Sequence, residues 1–242
     1  MKLKPKIAIF SLTSCSGCQI EVVNLGKKFL DILKYIKIEN FPLVKEKKNI
    51  KKYDIVFIEG SPMTKENIKE LKSIRKKTKF LIALGTCACL GCVPKIKNYK
   101  DKDEIIKNVY QFIKKIDNFE IKPLKDCVKI DFELPGCPID KNEFYWAVCQ
   151  LVNGKIPKIS QKPVCYECQL KENECLLQKK MICLGPLILG GCEAICLKSN
   201  FPCNGCRGFL ENPKTENYIK ILEKNKINKK DFEEKLEEFG IK

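Results

Sequence analysis

Short apolar runs alternate along the chain with stretches in which apolar residues recur every three or four positions. Runs of the first kind are typical of buried strands, and the spaced pattern is typical of helices with one apolar face. The runs predict strands at 6–12, 54–60, 80–85 and 127–134. The spaced pattern predicts helices at 18–36, after an N-cap at Thr64, and at 101–116, 142–154, 215–224 and 229–239.

The order of these elements defines the expected fold. Strands that alternate with helices predict a parallel sheet with helices on its faces, so we expect an α/β, flavodoxin-like doubly wound domain over residues 1–154. A linker at 155–164 opens a cysteine-rich domain that extends to residue 212, and residues 213–242 form C-terminal helices. At 242 residues the chain is long enough for one ordinary core and a small appendage.

Composition limits the chemistry that this chain can perform. It has sixteen cysteines and no histidine, which excludes a Ser–His or Cys–His nucleophile, a histidine general base, a Cys–His zinc finger and a Rieske centre. Metal binding must therefore rest mainly on thiolates, which are soft donors suited to zinc, copper(I) and iron–sulfur clusters.

The chain shows no signal for export or membrane insertion. Its first apolar stretch, Ile7 to Leu12, is short for a signal-peptide core and is not followed by a small-residue cleavage site. No apolar run reaches the length of a membrane span. We therefore expect a cytoplasmic protein, in which thiols are normally reduced, and this argues against a disulfide framework.

The chain is strongly basic, with 46 lysines and arginines against 30 acidic residues and a formal net charge of +16. Only Arg75 and Arg207 are arginines. A nucleic-acid surface usually contains more arginine, with aromatic residues among the basic ones. Segments such as 48–52 and 72–79 instead indicate a solvated, lysine-rich surface, and we expect no nucleic-acid partner.

Four cysteines follow three of the predicted strands. Parallel strands end at one edge of a doubly wound sheet, where cofactors bind, so thiols far apart in sequence can meet there. Glycines in SGC, GTC and PGC allow the backbone to approach a bulky group closely. Four thiolates from three loops could hold zinc or a 4Fe–4S cluster, and their dispersal favours the cluster. The candidate ligands are Cys15, Cys18, Cys87 and Cys137. CACLGC offers Cys89 and Cys92 as further candidates for the position of Cys87, and Cys89 in particular stays open.

Several nearby residues have ordinary structural explanations. Cys127 and Cys149 lie in a predicted strand and a predicted helix, where core packing accounts for them. Glu21 and Glu59 lie close to the cysteine loops, and we expect them to be solvated or capping carboxylates rather than proton carriers.

A second set of thiols is concentrated in residues 165–206, with the spacing C-x2-C-x6-C-x7-C-x8-C-x3-C-x6-C-x2-C. Eight ligands fit two clusters of four cysteines each. A sequential pairing gives each cluster four consecutive cysteines, but two-cluster ferredoxins exchange a ligand, so Cys183 or Cys206 could cross over. Two zinc ions acting as folding staples could also account for the set. The eight are Cys165, Cys168, Cys175, Cys183, Cys192, Cys196, Cys203 and Cys206.

These motifs, in this order, resemble the small subunit of nickel–iron hydrogenases. LTSCSGCQIE, IEGSP, GTCACLG and PGCP carry the resemblance in the first domain, and CYECQLKENECL, CLGP, GGCEAIC and PCNGCRG carry it in the second, over roughly residues 6–210. The cysteine-rich second domain resembles the multi-cluster tail of the cytoplasmic nickel–iron hydrogenases. That group includes the sulfhydrogenase delta subunit and the gamma subunit of deazaflavin-reducing hydrogenases.

The resemblance implies a role for each thiol of the first domain. The proximal cluster, which faces the nickel–iron site of the large subunit, would be held by Cys15, Cys18, Cys87 and Cys137. The match of GTCA to the family motif selects Cys87, and Cys89 and Cys92 are then expected to be packing residues.

Together these features predict an electron-transfer subunit with no hydrogen-activating site of its own. We expect three 4Fe–4S clusters, one at the sheet edge and two in a small ferredoxin-like domain. The resemblance implies two partners, a nickel–iron hydrogenase large subunit and a flavin-containing or other electron-acceptor subunit.

Three competing interpretations of the sequence remain. A complex I-type 20-kDa subunit resembles the chain less, because its first motif has adjacent cysteines and it lacks the cysteine-rich tail. The second is a free-standing iron–sulfur carrier, and the third is a zinc-stapled basic binding module.

Overall fold

The structure of the protein, a computed structural model, describes residues 4–45, 52–99 and 120–241. The described residues up to Pro157 form one compact unit, and those from Lys158 onward form a second. The helix predicted at 101–116 lies outside the described residues.

The first unit is built on a parallel sheet of five strands. The strands are β1 (Lys6–Ser11), β2 (Lys37–Asn40), β3 (Tyr53–Glu59), β4 (Thr78–Leu84) and β5 (Phe132–Leu134). They are arranged in the order β2-β1-β3-β4-β5, and every neighbouring pair is parallel. This is the strand order of flavodoxin-like doubly wound folds, so the predicted α/β class is confirmed.

The two central strands are apolar because helices and loops cover both of their faces. Phe57 and Ile58 of β3 and Leu81 and Ile82 of β4 are fully buried. The outer strands alternate less regularly, and β5 is only three residues long.

The described helices of the first unit lie between the strands or follow the last one. They are α1 (Gly17–Val23), α2 (Lys27–Leu33), α3 (Lys65–Lys76), α4 (Gly85–Leu90), α5 (Cys92–Lys95) and α6 (Lys141–Val152). Thr64 caps α3 as predicted, because its Oγ1 accepts a hydrogen bond from the Asn67 backbone N–H at 3.1 Å. Short 3-10 turns cover Ile96–Tyr99 and Leu124–Asp126.

Three sequence predictions differ from the structure. The helix predicted at 18–36 is interrupted at Gly26, which adopts φ +57°, and it therefore forms two helices. Strand β2 was not predicted, because it carries the polar residues Glu39 and Asn40 in buried positions. The strand predicted at 127–134 begins only at Phe132.

The second unit has little regular structure around its cysteines. It contains α7 (Val164–Leu170), α8 (Ile195–Lys198), α9 (Thr215–Lys224) and α10 (Lys229–Glu237). Helix α9 packs under the cysteine segment, where the buried Tyr218 hydroxyl donates to the Cys183 carbonyl at 2.9 Å. The C-terminal helices thus share one core with the cysteine-rich loops. Within the part of the chain that is described, no helix is long and apolar enough to span a bilayer.

Candidate metal centres

The loops that follow β1, β4 and β5 carry the four predicted cysteines of the first unit, and three of the four thiols are neighbours in the structure. The thiols of Cys137 and Cys87 are electrostatic neighbours of the Cys18 thiol, which means that they lie close enough for their charges to shift its pKa. Cys15 lies one residue before the α1 N-cap, and its sulfur is 3.3 Å from the position that a Cβ on Gly17 would occupy. We refer to Cys15, Cys18, Cys87 and Cys137 as the sheet-edge thiols.

Hydrogen bonds between the loops fix this arrangement. Thr13 and Ser61 exchange backbone hydrogen bonds of 3.3 and 3.0 Å, which join the β1 loop to the β3 loop. The Ser61 hydroxyl donates to the carbonyls of Cys87, at 2.9 Å, and Gly91, at 3.1 Å. The loop after β3 therefore supports the segment that carries Cys87.

A reciprocal pair joins the remaining loop. The Thr86 backbone N–H donates to the Gly136 carbonyl at 3.0 Å, and the Gly136 N–H donates to the Thr86 Oγ1 at 3.3 Å. Cys87 and Cys137, fifty residues apart in sequence, are thereby held next to each other.

Glycines permit this close approach, as the sequence predicted. Gly85 adopts φ +82°, and a Cβ added to it would clash with the Cys18 sulfur. Gly136 adopts φ +144°, and its Cβ would lie 2.7 Å from the Pro138 carbonyl oxygen. A side chain at either position would displace the cysteine loops.

Cys92, another thiol of CACLGC, lies beside two of the sheet-edge thiols. It is 1% exposed, adopts φ +53°, and its thiol is hydrogen-bonded to those of Cys87 and Cys137. Cys92 is buried, as expected of a packing residue, and it also contacts two of the candidate ligands. Cys89, in contrast, is buried in the core on the other side of the loop, where its thiol donates to the Ala83 carbonyl at 3.6 Å.

The thiols differ in electrostatic environment. Burial, together with the Glu59 carboxylate, raises the pKa of the Cys18 thiol far above its usual range. The hydrogen bond from Cys92 lowers the pKa of Cys137 to about 7 and also lowers the pKa of Cys87. A lowered pKa favours the thiolate, which is the form that binds metals.

The two carboxylates noted in the sequence have different surroundings. Glu21 accepts a hydrogen bond of 3.0 Å from the Asn24 side chain at the surface. Glu59 is 2% exposed and accepts hydrogen bonds from the Cys18 backbone N–H, at 3.0 Å, and from the Gln19 side-chain amide, at 2.7 Å. Glu59 is therefore not solvated, but it has the expected capping role, because Cys18 is the second residue of α1 and its backbone N–H is one of the donors that the start of a helix leaves without a partner.

The two remaining thiols lie apart from this cluster. Cys127 follows the 3-10 turn rather than lying in a strand, and it packs against the sheet core. Cys149 lies in α6, as predicted, and is half-buried.

In the second unit the eight cysteines form two groups of neighbours. The pKa of the Cys165 thiol is raised to about 11. Burial is the main cause, and the nearby thiols of Cys183, Cys168 and Cys175 add to it. We call these four the first tail group. The Cys192 thiol interacts electrostatically with the Cys196 thiol. The Cys203 thiol interacts in the same way with those of Cys206 and Cys192. Cys192, Cys196, Cys203 and Cys206 are the second tail group.

The two groups adjoin at one point. The Cys203 backbone N–H donates to the Cys183 sulfur at 3.3 Å. Cys183 is accordingly also an electrostatic neighbour of the Cys203 thiol.

Two charged residues near the second tail group were not assigned from sequence. Arg207 is 2% exposed, and its Nε donates to the Gly190 carbonyl at 2.7 Å. Glu167 accepts a hydrogen bond from the Gly191 N–H, and the Cys192 thiol donates to its other oxygen at 3.9 Å. The sequence offered one signal, because Arg207 is one of only two arginines and directly follows a candidate ligand.

The donor set fits iron–sulfur clusters. Backbone N–H groups are directed at several sulfurs, from Ile139 to Cys18, from Ala194 to Cys192 and from Gly205 to Cys203. Hydrogen bonds of this kind tune cluster potentials. Among the described residues, no three His, Cys, Asp or Glu side chains are close enough to hold a single metal ion. A four-iron cluster instead takes one thiolate at each of four iron atoms.

Comparison with known proteins places the fold in a class of redox-complex subunits. Residues 15–151 match the family described as NADH ubiquinone oxidoreductase, 20 Kd subunit. The matched range begins at Cys15 and contains all of the sheet-edge thiols.

Two similar proteins of known name are hydrogenase subunits. Sulfhydrogenase 2 subunit delta of Pyrococcus furiosus is 38% identical, covering 84% of this chain and 86% of its own length. A vhu subunit of the F420-non-reducing hydrogenase of Methanocaldococcus jannaschii is 32% identical, covering 85% and 82%. The chain therefore belongs to the 20 Kd subunit family and, within it, to the small-type subunits of nickel–iron hydrogenases. It is a component of an oxidoreductase complex.

Solved structures agree with this fold. A chain of the NAD+-reducing NiFe-hydrogenase crystallised in the H2-reduced state aligns with a TM-score of 0.60 at 24% identity, covering 65% of this chain and 96% of that chain. The Ni-Fe-Se hydrogenase of Desulfomicrobium baculatum aligns with a TM-score of 0.58 at 15% identity, covering 85% and 94%. At these identities the alignments establish the fold alone.

The contact between Gly85 and Cys18 gives a direct test of the sheet-edge geometry. Replacing Gly85 with alanine combines a left-handed backbone with a clash against the Cys18 sulfur. In Gly26→Ala the φ is also positive, but no atom lies within 4 Å of the added Cβ. We expect Gly26→Ala to lower the free energy of unfolding by about 1–3 kcal/mol, because its backbone lies in a sparsely populated region, and Gly85→Ala to lower it by a further ~1–3 kcal/mol from overpacking.

Anaerobic urea denaturation of both variants measures this difference. Equal destabilisation of the two would show that the backbone of Gly85 does not press against Cys18.

Proposed function

We propose that this chain is the electron-transfer subunit of a cytoplasmic nickel–iron hydrogenase, with one 4Fe–4S cluster at the sheet edge and two in the second unit. Electrons from H2 would enter at the sheet-edge thiols and leave through the tail groups, or travel in reverse. The hydrogen-activating site belongs to a separate large subunit in this proposal. A flavin-containing or other acceptor subunit would complete the complex.

The convergence of the sheet-edge thiols is the observation that carries the proposal. Cys18 and Cys137, which are separated by more than a hundred residues, are electrostatic neighbours, and hydrogen bonds between the loops and glycines at close approaches support this arrangement. The relatives named as hydrogenase subunits support the same assignment.

The residues of this chain would bind, space and tune the clusters. Each cluster would exchange one electron at a time, at a potential set by its net charge, its hydrogen bonds and its exposure to solvent. The thiolates supply the ligands, and the backbone N–H groups at Ile139, Ala194 and Gly205 supply hydrogen bonds to sulfur.

The surface around the sheet-edge thiols suits a partner that covers it. Cys15 and Cys137 are exposed, and the neighbouring helix α1 exposes Ile20 by 49% and Val23 by 42%. Exposed apolar side chains next to a cofactor site are typical of protein interfaces. We assign this face to the nickel–iron large subunit.

A comparable surface lies beside the second tail group. Cys196 is exposed in α8, next to Ile195 at 64% exposure, and Phe201 nearby is 67% exposed. The Phe201 N–H donates to the Cys196 carbonyl at 2.9 Å, which holds the aromatic residue close to the cysteine. We assign this face to the acceptor subunit.

Replacing Cys137 with alanine tests the ligand role at the sheet edge. We expect the variant to contain about four fewer irons per chain, because a 4Fe–4S cluster needs all four thiolates. In the assembled hydrogenase it should abolish H2-dependent reduction of the acceptor. Cys127→Ala is the matched control, since Cys127 packs against the core, and it should keep both properties. Unimpaired H2-dependent reduction in Cys137→Ala would refute the ligand role.

The thiol neighbours in the second unit favour a sequential pairing, and double variants test it. If Cys183 belongs to the first tail group, Cys175→Ser with Cys183→Ser should remove about four irons. Cys183→Ser with Cys196→Ser should then remove about eight. The measurement is iron and sulfide per chain in the anaerobically purified proteins. The reverse result would show that Cys183 crosses over to the second cluster.

A further inference from the structure

Glu59 is a buried carboxylate at the carboxyl end of the central strand β3, directly under the loop that carries Cys18. Both of its oxygens accept hydrogen bonds, Oε1 from the Cys18 backbone N–H and Oε2 from the Gln19 side chain. Both oxygens of this carboxyl group are thus hydrogen-bonded, which is the usual arrangement of a buried polar group.

Among the described residues, the Glu59 carboxylate has no cationic partner. In the ranges 4–45, 52–99 and 120–241, no lysine or arginine forms an ion pair with it. A second buried carboxylate of the sheet, Glu39, is paired with Lys37 at 2.9 Å. Burying an unpaired charge is costly, so its presence at a cofactor edge calls for a functional explanation.

The field of this carboxylate reaches the thiols on both sides of it. Glu59 is an electrostatic neighbour of the sulfurs of Cys18 and Cys87, which lie on different loops. Charges interact more strongly in a buried site than in water, because the effective dielectric constant is lower there. Any electron added to a cluster at this edge would therefore be repelled by Glu59.

We propose that Glu59 is a positioning residue that orients the Cys18 loop and, through its negative charge, lowers the reduction potential of the sheet-edge cluster. Net charge and hydrogen bonding around a cluster are the means by which a protein sets its potential. The inference rests on the proposed function, because it requires a cluster on the sheet-edge thiols.

The isosteric variant Glu59→Gln separates the charge from the geometry. The side-chain oxygen of the introduced glutamine would still accept from the Cys18 N–H. Gln19 has a buried side-chain oxygen without a hydrogen-bond partner, so its amide can flip and accept from the new side-chain NH2. The variant should therefore fold and bind the same amount of iron as the wild type.

The measurement is a redox titration of the anaerobic, full-length protein, followed by electron paramagnetic resonance. The signal of the sheet-edge cluster is identified as the one that Cys137→Ala removes. In Glu59→Gln we expect that signal to show at least a tenfold higher ratio of reduced to oxidised cluster at a given potential, equivalent to a positive shift of about 59 mV for one electron. The signals of the tail clusters should not move.

Two further variants keep the inference testable. Glu39→Gln removes a buried but ion-paired carboxylate from the same sheet, and it should leave the potential unchanged. Gln19→Met removes one of the two donors that disperse the Glu59 charge, and it should shift the sheet-edge signal to more negative potential. This second variant provides the test if Glu59→Gln fails to load iron.

An unshifted sheet-edge signal in Glu59→Gln and Gln19→Met would overturn the role of Glu59, because a purely structural residue would leave the potential unchanged. An equal shift in Glu39→Gln would also overturn it. Both results are distinct from failure of the proposed function, which would appear in the wild-type protein as the absence of iron and of any reducible signal.

Discussion

The parallel alignment of the sheet is the constraint on which the site depends. When neighbouring strands run in the same direction, every one of their carboxyl ends opens at a single edge. Loops from β1, β3, β4 and β5 therefore meet there, and short polar contacts such as those of Ser61 and Thr86 lock them in register. The distance in sequence between Cys15 and Cys137 is a direct consequence of this topology.

The parts of the fold that could be predicted from the sequence are those that bury apolar residues in regular patterns. Strands β1, β3 and β4 appear as apolar runs, and α3 shows both an N-cap and a periodic face. Strand β2 was missed because its buried residues include a carboxylate and an amide, which are satisfied by Lys37 and by the Ile9 carbonyl. The break at Gly26 was missed because helical spacing continues on both sides of it.

The residues of the candidate site also divide into those that could be identified from the sequence and those that could not. Thiols and glycines could be identified in the sequence, because their spacing after strands predicts a common edge. Glu59 and Cys92 could not be assigned, because their importance depends on burial and on contacts between loops rather than on local pattern. In the second unit, the irregular backbone around the tail groups carries no periodic signal, and the neighbours of Cys165 become apparent only in three dimensions.

The central claim is that the thiols of both units hold iron–sulfur clusters for electron transfer. The most direct test is to purify the protein anaerobically and to measure iron, acid-labile sulfide and zinc per chain together with the visible spectrum. The account predicts about twelve irons and twelve sulfides, as three cubes require, with a broad absorption that dithionite bleaches. A colourless protein that contains zinc in place of iron would contradict it and would identify a thiolate-stapled binding protein instead.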